Sequence, residues 1–143
     1  MTILSLNKKV LIYGFIFTFF SSFGQSFFLG LFNAPIRNEL DISHGQFGSI
    51  YAAATICSSL LLIWVGKKID EYKLFNYSYF VISLLFISSI FFSLISSVYL
   101  LIIGIFLMRF SGQGLMNHTS STAISRYFEK SRGKALSTIW LGL

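Results

Sequence analysis

Charge is scarce in this sequence. Asp, Glu, Lys and Arg make up 11% of the 143 residues, and 5 of them are acids, whereas about a quarter of an ordinary soluble domain is charged. So little charge cannot coat a water-soluble globule. Cysteine is nearly absent too: Cys57 stands alone inside an apolar run, which excludes a disulfide framework and a cysteine metal site and leaves it as a small packing residue. There is no cluster of His, Cys and acids, no Walker phosphate loop and no nucleophile elbow, so no metal, no cofactor and no enzymatic role is expected.

What fills the sequence is hydrocarbon. Hydrophobic residues reach 55%, and the 17 Phe are spread through long runs rather than set at core-facing intervals, so apolar surface must point outward as well as inward, toward lipid. The formal charge of +6 sits in short clusters between these runs, not along one groove or helix face. The clusters therefore read as topology signals, with no nucleic-acid partner expected. Lys8 and Lys9 could open a signal peptide, yet the uncharged run after them, Val10 to Phe32, exceeds the ~7–15 residues of a signal core and matches a spanning helix.

Four stretches are long enough to span: Val10–Phe32, about Gly45–Val65, about Leu74–Ser96 and about Val98–Ile124, each near the ~20 residues required. The third and fourth are divided by Ser96 and Ser97 alone, which predicts a tight helical hairpin. Basic residues favour alternate connectors: Lys8 and Lys9; Lys67, Lys68 and Lys73; Arg126, Lys130, Arg132 and Lys134. By the positive-inside rule the N-terminus and those loops are expected in the cytoplasm, with the protein in the cell's inner (plasma) membrane. A fifth apolar stretch starts at Ala135 and runs nine residues to Leu143, or about 13 Å of helix against a hydrocarbon core of about 30 Å. The expectation is an all-α polytopic transmembrane helix bundle, incomplete in its fifth helix and completed by a further C-terminal part of the same chain.

Arg109 carries the most information. It lies about ten residues into the fourth stretch, roughly 15 Å from one end, near the bilayer midplane. A charge there costs about 2.5–3.5 kcal/mol on insertion scales and marks a functional site by default. Every acid falls in a connector. The partner of Arg109 is therefore a group outside this sequence, a loop acid reaching inward, backbone carbonyls, or an anionic solute; a structural ion pair with another helix is the plainer alternative. Gln113 and Asn117 follow at i+4 and i+8 and should share its interior face. His118, nine residues on, should turn to the opposite side at about 100° per residue. There it could carry a proton or simply bond a nearby hydroxyl or carbonyl. Gln25, among Ser21, Ser22, Gly24 and Ser26 in the first stretch, could line a cavity. In the second, Gly48 with Ala52 and Ser49 with Ala53 predict close helix packing.

Three landmarks carry a family resemblance. Gly66-Lys67-Lys68-Ile69-Asp70-Glu71-Tyr72-Lys73 resembles the signature loop of the major facilitator superfamily in Gly66, Asp70 and Lys73, though Glu71 stands where that family usually has a base. Arg109-Phe110-Ser111-Gly112-Gln113-Gly114 is similar to its fourth-helix arginine motif, with the glutamine four residues on rather than three. Arg126-Tyr127-Phe128, Arg132-Gly133 and Ala135 resemble the segment before the fifth helix of facilitator permeases, particularly those related to organic-anion exchangers. The resemblance implies the N-terminal half of a bundle of two six-helix halves that rock about a midplane site. It implies close approach for Gly66, helix capping and pairing with bases for Asp70, proton-coupling or solute-linked charge for Arg109, and close packing for Gly112 and Gly114. The function expected is secondary active transport of a small solute, by symport or antiport, with an organic anion favoured because Arg109 has no internal acid. The alternative is a non-transporting scaffold or sensor whose polar helix face binds a partner helix.

Overall fold

The computed structural model of the chain describes residues 7–143. All regular structure among them is helical. Four helical segments are long and apolar enough to cross a membrane: Lys8–Leu31, His44–Asp70, Leu74–Ser93 and Val98–Tyr127. The first comprises α1 (Lys8–Ser21), a 3-10 turn over Ser22–Gly24 and α2 (Ser26–Leu31). A short α3 (Asn33–Leu40) then leads to α4 (His44–Lys67), the second span. The third span is α5 (Leu74–Ser93), and the fourth is α6 (Val98–Met108), a π-helical stretch (Arg109–Met116) and α7 (Asn117–Tyr127). The last helix, α8 (Arg132–Trp140), begins three residues before the expected Ala135.

The ends of these helices have local causes. Ser43 and Gln46 form a reciprocal capping box at the start of α4, with Ser43 Oγ accepting from Gln46 N–H at 3.1 Å and Gln46 Oε1 from Ser43 N–H at 2.7 Å, which satisfies two orphan donors at once. Ser97 caps α6 through Leu100 N–H. Asp41 takes the left-handed conformation (φ 50°) that ends α3, a geometry Asp tolerates better than most residues. The hairpin between the third and fourth spans opens at Leu94, two residues before Ser96, because α5 stops at Ser93. Hydroxyls inside the spans mostly turn back on their own helix: Thr18 donates to Gly14 O, Ser88 to Leu84 O and Thr119 to Leu115 O. In hydrocarbon, where no water can serve them, that return bond is the cheapest partner.

The fourth span is the axis of the bundle: half of its most apolar window is buried, against 11% for the second span. Phe17 from the first span and Tyr77, Val81 and Leu85 from the third close on Phe110, Leu115 and Met116. Phe47 and Ala54 meet Leu101 and Ile105. At the other end Leu11, Ile124, Phe128, Ala135 and Ile139 seat α8 against α1 and α7. Many large apolar side chains stay exposed, among them Phe75 (80%), Tyr99 (81%) and Trp64 (67%), a surface suited to lipid.

Three expectations are corrected. The first span is not one continuous helix, because it breaks at Ser22–Gln25. The fourth is not uniformly α-helical. Among the described residues nothing packs on the small-residue face of the second span, since Gly48, Ser49, Ala52 and Ala53 are exposed and nothing lies within 4 Å of a Cβ placed on Gly48. The tight crossing lies elsewhere, between Gly24 and Gly112. A Cβ on Gly112 would fall 2.6 Å from Gly24 N, and one on Gly24 would fall 2.4 Å from both Gln113 N and Met108 O. Those neighbours are backbone atoms and cannot rotate away. Gly112→Ala is expected to lower the thermal midpoint of the purified protein, with a cost of at least about 1–3 kcal/mol as in overpacked cores. Gly48→Ala should leave the midpoint unchanged, and equal effects of the two would contradict the crossing.

Candidate functional site

The break in the first span creates the acceptor that Arg109 needs. Gln25 is extended (φ −79°, ψ 156°), and the helix resumes only at Ser26, so Gly24 O has no N–H four residues on to receive. Arg109 Nη1 donates to that carbonyl at 3.0 Å and to Ser26 Oγ at 3.4 Å, while Nε donates to Thr55 Oγ1 at 3.2 Å. The guanidinium lies over the Tyr51 ring, 5.1 Å from its centroid, and the Tyr51 hydroxyl in turn donates to Ser26 Oγ at 2.8 Å. Arg109 is 6% exposed. It therefore sits at the carbonyl end of α1 and its 3-10 extension, where the helix dipole favours a cation, and on the face of an aromatic ring that does the same.

Every one of these partners is neutral. Among the described residues no carboxylate pairs with Arg109, and of its five N–H donors the two on Nη2 have no acceptor. Of the sequence alternatives for its partner, backbone carbonyl is the one observed. Tyr51 and Thr55 were not singled out by sequence reasoning. Their spacing, four residues apart on one face of the second span, was the available signal.

The π-helical stretch arranges the rest. It starts at Arg109 and contains Ser111, Gly112 and Gly114, poor helix formers that tolerate a widened turn; such stretches recur at functional sites. Gly112 lies against Gly24, whereas a Cβ on Gly114 would make ordinary contacts of 3.4–3.6 Å, so Gly112 alone of the two is sterically required to be glycine. Gln113 and Asn117 are half-buried. Asn117 Oδ1 is buried without a hydrogen-bond partner, a costly state for an amide. His118 does not turn away from Arg109 as expected: both bond the second span, because i→i+5 turns advance each residue by less than the 100° assumed. His118 Nε2–H donates to Gly66 O at 3.1 Å, and a Cβ on Gly66 would lie 3.3 Å from that nitrogen.

Asp70 does not cap α5, whose N-cap position is held by exposed Lys73 without a side-chain bond. Instead Asp70 forms an ion pair with Arg126, which also donates to Ile69 O at 3.5 Å. Gly66, Asp70, His118, Thr122 and Arg126 line one cavity of about 420 Å³ at this end of the bundle. Arg132 and Lys134 stand exposed in the first turn of α8, away from that cavity's lining. Gln25 supplies the extended residue of the break and is half-exposed.

Side chains of Arg126 and Asp70 are 52% and 62% exposed, so solvent screens their attraction. A double-mutant cycle with Asp70→Asn and Arg126→Gln, read by thermal midpoint, is expected to give a coupling of about 0.2–1 kcal/mol. A coupling well above that range would show the pair to be a principal clamp on the fold.

No curated protein and no solved structure matches the chain. Residues 9–142 match the Major Facilitator Superfamily, which takes in all four spans, the broken first helix, Arg109 and the Asp70–Arg126 pair. The chain belongs to the Major Facilitator Superfamily and is an integral membrane protein of the transporter class.

Proposed function

We propose that the protein is a secondary active transporter of a small organic anion and that Arg109 is its anion-binding group. The observation that carries this reading is the neutral shell of a buried guanidinium with Nη2 unfilled. A charge held by a carbonyl, two hydroxyls and a ring is solvated but not neutralised. A carboxylate approaching Nη2 would add charge-assisted hydrogen bonds and cancel the charge together. Gln113 and Asn117, half-buried on the same helix, supply amides to the rest of the solute.

The placement of these groups supports a mechanism of alternating access. Arg109 joins the first span to the second and fourth near mid-bilayer, while Asp70–Arg126 and His118–Gly66 join the second and fourth at one end. The Asp70–Arg126 pair is exposed and screened by solvent, and the His118–Gly66 bond is a single part-buried one, so this end can open while the central contact holds, which is the division that rocking about a midplane site requires. In this reading the N-terminus and the Gly66–Lys73 loop face the cytoplasm of the cell's inner membrane, by the distribution of Lys and Arg. A second set of helices completes the pathway.

Uptake of small carboxylates by cells expressing the full-length protein tests the reading. Arg109→Ala is expected to lower uptake, per amount of protein in the membrane, by about ten- to a hundred-fold, the loss of charge-assisted hydrogen bonds of about 1.5–3 kcal/mol. Arg109→Lys, which keeps the charge and loses the fork, should recover little of it. Undiminished carboxylate uptake by a well-inserted Arg109→Ala protein would remove Arg109 from the mechanism.

A further inference from the structure

A groove between the second and third spans has no part in the site above. It occupies about 510 Å³ and is lined by Val65, Lys68, Tyr72, Asn76, Tyr77 and Phe80, a size in the range of ~300–1,000 Å³ typical of small-ligand sites. Its chemistry is graded along the bundle axis. Lys68, Tyr72 and Asn76 form one end, beside the loop that joins the spans, and all three are exposed. Val65, Tyr77 and Phe80 form the other; Phe80 lies six residues into α5, about 9 Å down the helix and below every charged residue of the loop. The Tyr77 hydroxyl is spent on Val65 O at 2.9 Å, so this deeper end offers ring and aliphatic surface alone.

We propose that this groove holds an anionic phospholipid, with its phosphate at Lys68 and one acyl chain along Tyr77 and Phe80. Charge complementarity selects the headgroup. Asp70 is engaged by Arg126, which leaves Lys67, Lys68 and Lys73 against Glu71 in the loop. The Lys68 ammonium is held at the mouth by Glu71 at 3.2 Å and by the Tyr72 ring at 5.9 Å. The Lys68–Glu71 pair is half-exposed at its lysine, a kind worth little in water, so a phosphate can share or take over the ammonium. The Asn76 amide can donate beside it. The graded depth selects a lipid over a water-soluble anion, because the apolar end would stay empty beneath a free phosphate. A lipid bridging α4 and α5 here would brace the end of the bundle where the Asp70–Arg126 pair sits.

Native mass spectrometry of the full-length, delipidated protein tests this, titrated with phosphatidylglycerol and with phosphatidylcholine of identical acyl chains. Phosphatidylglycerol should be retained preferentially. Lys68→Gln should lower its retention about five-fold, the effect of one basic residue at a membrane surface, and leave phosphatidylcholine unchanged. Phe80→Ser should lower retention of both lipids, and Lys130→Gln, an exposed lysine in a different loop, should change neither. Equal retention of the two lipids by the unmodified protein would overturn the proposal, as would a phosphatidylglycerol preference that survives Lys68→Gln or falls equally in Lys130→Gln. Failure to bind either lipid would mean that protein covers the groove, and would also overturn it.

Discussion

The bond from Arg109 to Gly24 O organises this part of the protein. A guanidinium in hydrocarbon needs acceptors, and an interrupted helix in hydrocarbon needs donors. Each defect answers the other. The break at Ser22–Gln25 exposes a carbonyl that an intact helix would have consumed, and Arg109 takes it. Remove the arginine and the break has an unsatisfied carbonyl; heal the break and the arginine loses its best partner.

Close approach makes that exchange possible. The first and fourth spans meet backbone to backbone at Gly24 and Gly112, which brings the π-helical stretch and its first residue, Arg109, against the break. Further along the same pair of helices, Ser120 Oγ reaches Gly14 O at 2.8 Å and Thr18 Oγ1 at 2.9 Å. In lipid, where helix association has no hydrophobic drive, such close contacts and cross-span hydroxyl bonds are the main sources of affinity between helices. The fourth span is thereby held firmly to the first. It meets the loop end of the second span through one part-buried bond, His118 with the buried Gly66, and one exposed ion pair, Arg126 with Asp70.

What the sequence made legible follows the same physics. Hydropathy marks the spans because lipid imposes its requirement on whole stretches, and Arg109 stands out because an isolated charge in such a stretch is costly wherever it points. The helix break and the π-helical stretch were hidden because neither is a local preference. Ser21, Ser22, Gly24 and Gln25 permit an interruption but do not demand one until Arg109 is placed opposite. Uniform α-helical spacing therefore sent His118 to the wrong side. Small residues were ambiguous for a related reason: Gly48 and Ala52 have the spacing of a contact face yet are exposed, while Gly24 and Gly112 make the contact with no repeat to announce it.

The central claim is that the unfilled face of the Arg109 guanidinium receives an anion. Its most direct test is the thermal midpoint of the purified full-length protein across small carboxylates and their matched neutral amides. The account predicts that at least one carboxylate raises the midpoint, that its amide does not, and that the shift disappears in Arg109→Gln. Stabilisation by amides as strong as by carboxylates, or a carboxylate shift that persists without Arg109, would contradict it.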